Sequence, residues 1–242
     1  MKKALAVICL CSMLAGCAQI PPTSGQDPSD PWESFNRQTY AFNTTLDDYV
    51  LKPVATVYKN VVPNPVRSSV TNFFNNLTEP RNFVNGILQG RPDKAARSFF
   101  RFIVNTTIGI AGLFDVATHL DLEAAPEDFG QTLAVWGVGD GPYLVLPFLG
   151  SSTLRDTAGT VVDLGTAPQT YIAHEEPAAG AGLYAVEIVN TRASLIGPDE
   201  ILNSAIDPYV AVRNAYQQSR KDAIYDGNPP MDFPEDEFED EE

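Results

Sequence analysis

Few residues in this chain are arranged for bond-making chemistry. The two histidines, His119 and His174, stand in unrelated contexts, and neither opens a His-Glu-x-x-His metal motif. No Gly-x-Ser-x-Gly elbow presents a nucleophilic serine. No phosphate-cradling P-loop occurs, and Gly137-x-Gly139-x-Gly141 has neither the spacing nor the flanking strand and helix of a dinucleotide fingerprint. Asp115, Asp128, Asp156 and Asp163 could supply acid pairs, but acids are common and serve more often as helix caps or ion-pair partners. The inventory argues against an enzyme and implies no metal or organic cofactor.

The chemically distinctive position is Cys17. Lys2 and Lys3 precede an apolar stretch from Ala4 to Leu14, the charged and apolar regions of a secretory signal. That stretch is shorter than the roughly 20 apolar residues needed to span a bilayer. It runs into Leu14-Ala15-Gly16-Cys17, which resembles the bacterial lipobox. The small residues admit a peptidase, and the thiol accepts a diacylglyceryl group. Cleavage is expected before Cys17, with acyl and diacylglyceryl groups on that cysteine; the alternative is an ordinary signal cut near Ala18. Cys9 and Cys11 would leave with the signal, so no disulfide is expected. Losing Lys2 and Lys3 takes the formal charge from −15 to −17. Ala18, where an Asp would signal inner-membrane retention, points to an outer-membrane address facing the periplasm. Two or more acyl chains anchor stably where one binds reversibly.

These features imply residues 1–16 as signal, 17–29 as a lipidated tether rich in Pro, Ser, Gly and Asp, a body over 30–226, and an acidic tail over 227–242. The tail, ending in Glu235 to Glu242, is nearly all acidic and should stay disordered. It could be a solubiliser or an arm that meets a partner or repels headgroups. The body is long enough for one domain with a sizeable core.

Its signals are mostly helical. Asp30-Pro31-Trp32-Glu33 reads as a cap, a first-turn proline and an acid at the third position. Trp32, Phe35, Thr39, Phe42, Leu46 and Tyr49 then form one stripe at steps of three and four. Pro53 should interrupt this helix, leaving a short piece from Val54 to Tyr58. A helix opening at Pro65 is expected to turn Val66, Val70, Phe73, Phe74 and Leu77 inward. Ala178 to Ile196 carries Leu183, Val186, Val189, Ala193 and Ile196 on one side. Asp207-Pro208 caps a helix through Tyr209, Val212 and Tyr216 to about Asp222. Strand signals are few: Tyr143 to Leu146 could be extended, bracketed by Pro142 and Pro147. The class is mainly α, with an irregular Gly/Pro segment from about Gly137 to Gly150.

The helix from Arg91 to Val104 separates its residues by type. Lys94, Arg97 and Arg101 share one narrow face, while Ala95, Phe99, Phe102 and Ile103 lie on the other. Such a helix could lie in a membrane interface with its cations on phosphates. It could equally be a surface helix with its aromatics in a core. Between Arg67 and Arg101 six basic residues face only Glu79 and Asp93, a local net charge of +4. Gly109 and Gly112, just beyond, would let helices approach closely.

Several blocks occur together and in order: DPWESFNRQTYAFN from Asp30, NGILQG from Asn85, RFIVNTTIGIAGLFDVA from Arg101, and DFGQTLAVWGVGDGPYLVLPFLG from Asp128, followed by Leu154-Arg155-Asp156 and Gly159. In these the chain resembles the MlaA (VacJ) family of outer-membrane phospholipid-transport lipoproteins, over nearly all the sequence outside the acidic tail. The resemblance implies a ring of amphipathic helices in the periplasmic leaflet of the outer membrane, around a polar channel beside a Gly/Pro-rich hairpin. It implies removal of stray phospholipid from the outer leaflet, association with a trimeric porin and delivery to a soluble periplasmic carrier, with no nucleic-acid partner. Channel or gating candidates are then Phe42, Asn43, Gly137, Gly139, Gly141, Pro142, Tyr143 and Pro147; the membrane-interface candidates are Lys94, Arg97, Arg101, Phe99 and Phe102. The Gly-rich segment would gate or shape the path, or merely connect its neighbours. Phe42 and Asn43 could equally be a core and a surface residue. The rival reading is a structural outer-membrane lipoprotein that stabilises porin or envelope assembly.

Overall fold

The computed structural model describes residues 27–230. The proposed signal, Cys17 and most of the acidic tail lie outside the described residues. The chain is mainly α, with one two-stranded hairpin: α1 Glu33–Leu46, α2 Lys52–Val61, α3 Asn64–Leu88, α4 Pro92–Thr107, α5 Phe129–Val135, β1 Tyr143–Leu146, β2 Gly150–Thr153, α6 Leu154–Thr166, α7 Pro168–Glu175, α8 Pro177–Leu195, α9 Pro198–Asn203 and α10 Pro208–Ile224. No helix among the described residues is long and apolar enough to cross a membrane.

Pro53 does not interrupt the first helix as expected. A π-helical turn, Asp47–Leu51, joins α1 to α2, and the Lys52 N–H reaches back to the Asp47 carbonyl. An α-helical proline clashes with the carbonyl four residues back. The wider π turn relieves that conflict and lets the helical path continue. The expected start at Asp30 also differs. Trp32 flanks the helix without a capping side chain, while Asp30 is fully buried and turns its carboxylate elsewhere.

Glycines set two close approaches. A Cβ on Gly86 would lie 2.9 Å from the Ala95 backbone nitrogen, so α3 and the start of α4 nearly touch there. Gly90 between them has φ +70°, a left-handed turn that glycine adopts without strain. Gly159 of α6 lies against Gly130 of α5, where an added Cβ would meet the Gly130 nitrogen at 2.4 Å.

The radial arrangement of residue types is inverted. Among the described residues, buried polar and charged side chains outnumber buried hydrophobic ones. The apolar core is small: Tyr143, Val145 and Tyr209, with Tyr40, Val210 and Tyr216 packed against it. On α3 the inward positions include Asn76, Glu79, Asn82 and Asn85, while Val66, expected inward, is exposed. On α4 the inward residues are Ala95, Ser98, Arg101 and Asn105, and Phe99, Phe100 and Ile103 face out. Trp32, Phe35 and Tyr49 of the first stripe are also exposed.

Two of the three cations on the basic face of α4 are engaged by carboxylates of the fold. Arg101 is 3 % exposed and is bound by Glu79 and Asp115. Lys94 joins Glu127 and Asp226. Arg97 is half-buried, and Phe102 likewise. The physical reason is satisfaction: a buried cation persists only where carboxylates and carbonyls surround it, and the fold places those inside.

Candidate functional site

The interior is a chain of hydrogen-bonded polar clusters. Arg101 donates through Nε to Glu79 at 2.7 Å and through Nη2 to Asp115 at 3.2 Å. Its pKa is raised: burial works against the charge, and the Glu79 and Asp115 carboxylates outweigh it. Gln89 donates to Glu127 at 2.8 Å and to Thr132 at 3.2 Å, and the Thr132 hydroxyl donates to Asn85 at 2.7 Å. In a separate cluster, Asp30 accepts from Asn36 at 2.7 Å, from Arg213 at 3.1 Å and from the Tyr209 hydroxyl. The Tyr209 phenol is held well above its ordinary range, first by burial and then by the Asp30 carboxylate. Asp27 pairs with Arg213 at 2.7 Å, so the last residues of the segment read as a tether are pinned to the body.

The four acids singled out by type are all engaged in structure. Asp128 caps α5 by accepting from the Gln131 N–H at 2.8 Å and takes two hydrogen bonds from Arg220. Burial would raise its pKa, but Arg220 and Gln131 hold it down at about 2. Asp156 accepts from Tyr216 at 2.6 Å, from Arg220 and from Arg155. Asp115 accepts from Arg101, Asn105 and Thr118. Asp163 accepts from the Phe129 N–H at 3.2 Å.

The Gly/Pro segment becomes an antiparallel hairpin, Tyr143 opposite Thr153 and Leu146 opposite Gly150. Two asparagines of α1 hold it. Asn36 donates to the Tyr143 carbonyl and accepts from the Val145 N–H, both at 2.9 Å. Asn43 does the same to the Leu146 carbonyl and the Phe148 N–H. Phe42 meets Phe148 edge-on, centroids 5.5 Å apart. The Tyr143 N–H donates to the Ser29 carbonyl, and burial pushes its phenol up to about 12. The turn beyond Pro147 leaves Phe148 and Leu149 exposed, with Phe148 at φ +67°. Gly137 and Gly141 have positive φ, and Pro142 lies just before β1.

A cavity of about 350 Å³ lies among α3, α6, α8 and α10, beside Ser151 and Ser152 of β2. Its charged lining includes Arg81, Asp128, Asp156, Asp163, Glu187 and Arg220. A second cavity of about 480 Å³ opens along α3 and α8, where Lys59 and Arg67 are joined by Ser, Thr and Asn side chains. The structure thus brings Phe42, Asn43, Tyr143 and the turn after Pro147 together, but none of the glycine candidates nor Phe42 and Asn43 lines the cavity beside β2. Arg81, Glu187 and Arg220, which do, were not among the candidates. A periodic run of Asn76, Glu79, Asn82 and Asn85 was the available signal: asparagine is a poor helix former, and a solvated helix face usually carries Lys and Glu instead.

Residues 28–223 match the family described as MlaA lipoprotein. The chain is 41 % identical over 220 residues to the intermembrane phospholipid transport system lipoprotein MlaA of Escherichia coli (strain K12), covering 89 % of this chain and 86 % of that one. Its identity to the protein of the same description from Haemophilus influenzae is 36 % over 223 residues, 88 % of this chain and 87 % of that one. A solved structure concerned with maintenance of bacterial outer membrane lipid asymmetry is similar with a TM-score of 0.71 at 41 % identity, covering 83 % of this chain and 100 % of that chain. This chain belongs to the MlaA lipoprotein family.

Proposed function

We infer that this chain is the lipoprotein component of an intermembrane phospholipid transport system, removing misplaced phospholipid from the outer leaflet of the outer membrane and so maintaining lipid asymmetry. The observation that carries the reading is the inverted body: polar and charged side chains inside, exposed aliphatic and aromatic side chains outside. Water is a poor solvent for that exterior, and lipid is a good one; each large apolar side chain gains roughly 1.5–3 kcal/mol on burial. The exposed stripe Val50, Val54, Val57 and Val61 along the π turn and α2 and the group Phe99, Phe100 and Ile103 on α4 supply such contacts.

The body then sits in the periplasmic leaflet, anchored through Cys17, with a wet passage at its centre. Pulling a two-chain lipid into water exposes on the order of 30 methylenes and costs roughly 20 kcal/mol or more. Drawing its charged headgroup through hydrocarbon is also costly. A polar interior beside lipid lets the headgroup stay solvated while the tails remain among lipid. The hairpin shapes one wall of this path, held by Asn36 and Asn43 along β1, and any gating movement resides at its exposed turn. No covalent step is required. A trimeric porin would seat the apolar exterior beside the outer leaflet, and a soluble periplasmic carrier would take the lipid onward.

The deciding experiment measures surface-exposed phospholipid in cells with and without the gene. Loss of the gene should raise it. Unchanged leaflet composition with a lowered porin level would overturn this reading in favour of a structural lipoprotein.

A further inference from the structure

The cavity of about 350 Å³ beside β2 holds charges of both signs, and only some of them neutralise one another by contact. Arg220 is fully occupied, with hydrogen bonds of 2.6 to 3.1 Å to Asp128 and Asp156. Arg81 is different. Its side chain makes no hydrogen bond or ion pair among the described residues, and its Nε is buried without a partner. Asp163 accepts only the Phe129 N–H, and Glu187 only the Gln169 amide at 3.3 Å. Among the described residues neither carboxylate has a cation in contact. Burial pushes both carboxyls up from their ordinary range while the charge of Arg81 pulls them back, so the guanidinium is felt across the cavity without being bonded. A half-buried cation whose Nε is shut off from water, with two half-buried carboxylates facing the same space, is costly unless a ligand completes them.

Resting on the reading of this chain as a phospholipid transporter, we propose that the cavity is a headgroup site for a zwitterionic aminophospholipid, in which Arg81 takes the phosphate and Asp163 and Glu187 take the ammonium. Guanidinium and phosphate match in geometry and charge. A purely anionic headgroup would find one uncommitted cation, Arg81, and two uncommitted carboxylates, Asp163 and Glu187, that repel it. At about 350 Å³ the space falls in the range of small-ligand pockets. It therefore suits a headgroup and leaves the acyl chains to the apolar surroundings. Ser151, also on the wall, pairs with the Tyr143 hydroxyl at 2.8 Å; with Tyr143 as the donor, the Ser151 proton is free for a phosphate oxygen.

The test exposes the full acylated protein, in mild detergent, to equal amounts of phosphatidylethanolamine and phosphatidylglycerol, and reads bound lipid by mass spectrometry. Wild type should enrich the ethanolamine lipid about tenfold, the effect of one charge-assisted hydrogen bond. Asp163→Asn with Glu187→Gln should bring the ratio towards one while total bound lipid stays similar. Arg81→Gln should lower both lipids, and Arg81→Lys should restore part of the loss, which separates phosphate binding from a folding defect. A wild-type ratio equal to the supply, or one unmoved by the carboxylate changes, overturns the proposal while leaving lipid transport intact. Wild type that binds neither lipid overturns the passage itself. Soluble glycerophosphoethanolamine at equal concentration should not displace bound lipid; full displacement would overturn the assignment to a membrane lipid.

Discussion

Asn36 and Asn43, two helical turns apart on α1, each grip the hairpin with both ends of one side-chain amide, four hydrogen bonds of 2.9 Å in all. The spacing of seven residues keeps both amides on one helix face. The bonds replace a third strand, because they satisfy peptide groups of β1 and the turn that β2 does not reach.

Removing the second grip should loosen the turn without unfolding the body. Asn43→Leu leaves the Phe148 N–H and the Leu146 carbonyl without these partners, and because water reaches the turn the cost is about 0.5–1.5 kcal/mol. Hydrogen exchange should accelerate at Phe148 and remain slow at Val145, which Asn36 still holds. Uniform acceleration across the hairpin would contradict this division.

Acid should weaken the fold through Asp128. Folding depresses its pKa from 3.8 to about 2, with burial opposed and outweighed by Arg220 and Gln131. The unfolded chain therefore binds the proton more tightly, so this contribution is present above about pH 4 and is lost as pH falls towards 2. It amounts to about 2 kcal/mol. Asp128→Asn keeps a capping side chain but not the charge. The fall in Tm between pH 4 and pH 2 should be shallower in this variant than in wild type.

Gly159→Ala should destabilise, against the usual sign for a helix interior, where alanine is favoured by about 1 kcal/mol. The new Cβ would sit 2.4 Å from the Gly130 nitrogen and force α5 and α6 apart. Thermal unfolding should show a lower Tm, whereas Gly165→Ala on the same helix, with open space around it, should not lower it.

Membrane affinity of the body should come from aromatics, not from the basic residues of α4. Phe99 and Phe100 are 45 % and 53 % exposed. In a Cys17→Ser chain lacking the anchor, Phe99→Ser with Phe100→Ser should weaken vesicle binding by on the order of tenfold or more per residue. Binding should depend little on salt. By contrast, Arg101→Gln should leave Glu79 buried and unpaired, costing about 3–5 kcal/mol of stability in urea titration.

The residue order by itself determined much of the secondary structure. Apolar spacing, prolines at helix starts and the Asp207-Pro208 cap gave α10 nearly to its end, and Tyr143 to Leu146 is extended in spite of the prolines that bracket it. The family blocks carried the mainly α class. What the spacing could not decide is which side of each amphipathic helix faces in. Periodicity fixes that two faces exist, and both orientations satisfy it equally. Only the tertiary structure showed Arg101, Glu79, Asn76 and Asn85 inside with Phe99 and Val66 outside, because a buried charge is tolerable only when distant residues such as Asp115 and Glu127 converge on it. The same holds for Pro53, whose strain was relieved by a π turn that no local pattern announced. Arg81 lay outside every motif, and its position across a cavity from Asp163 and Glu187 arises from helices α3, α6 and α8 meeting over sequence distances that spacing does not reach.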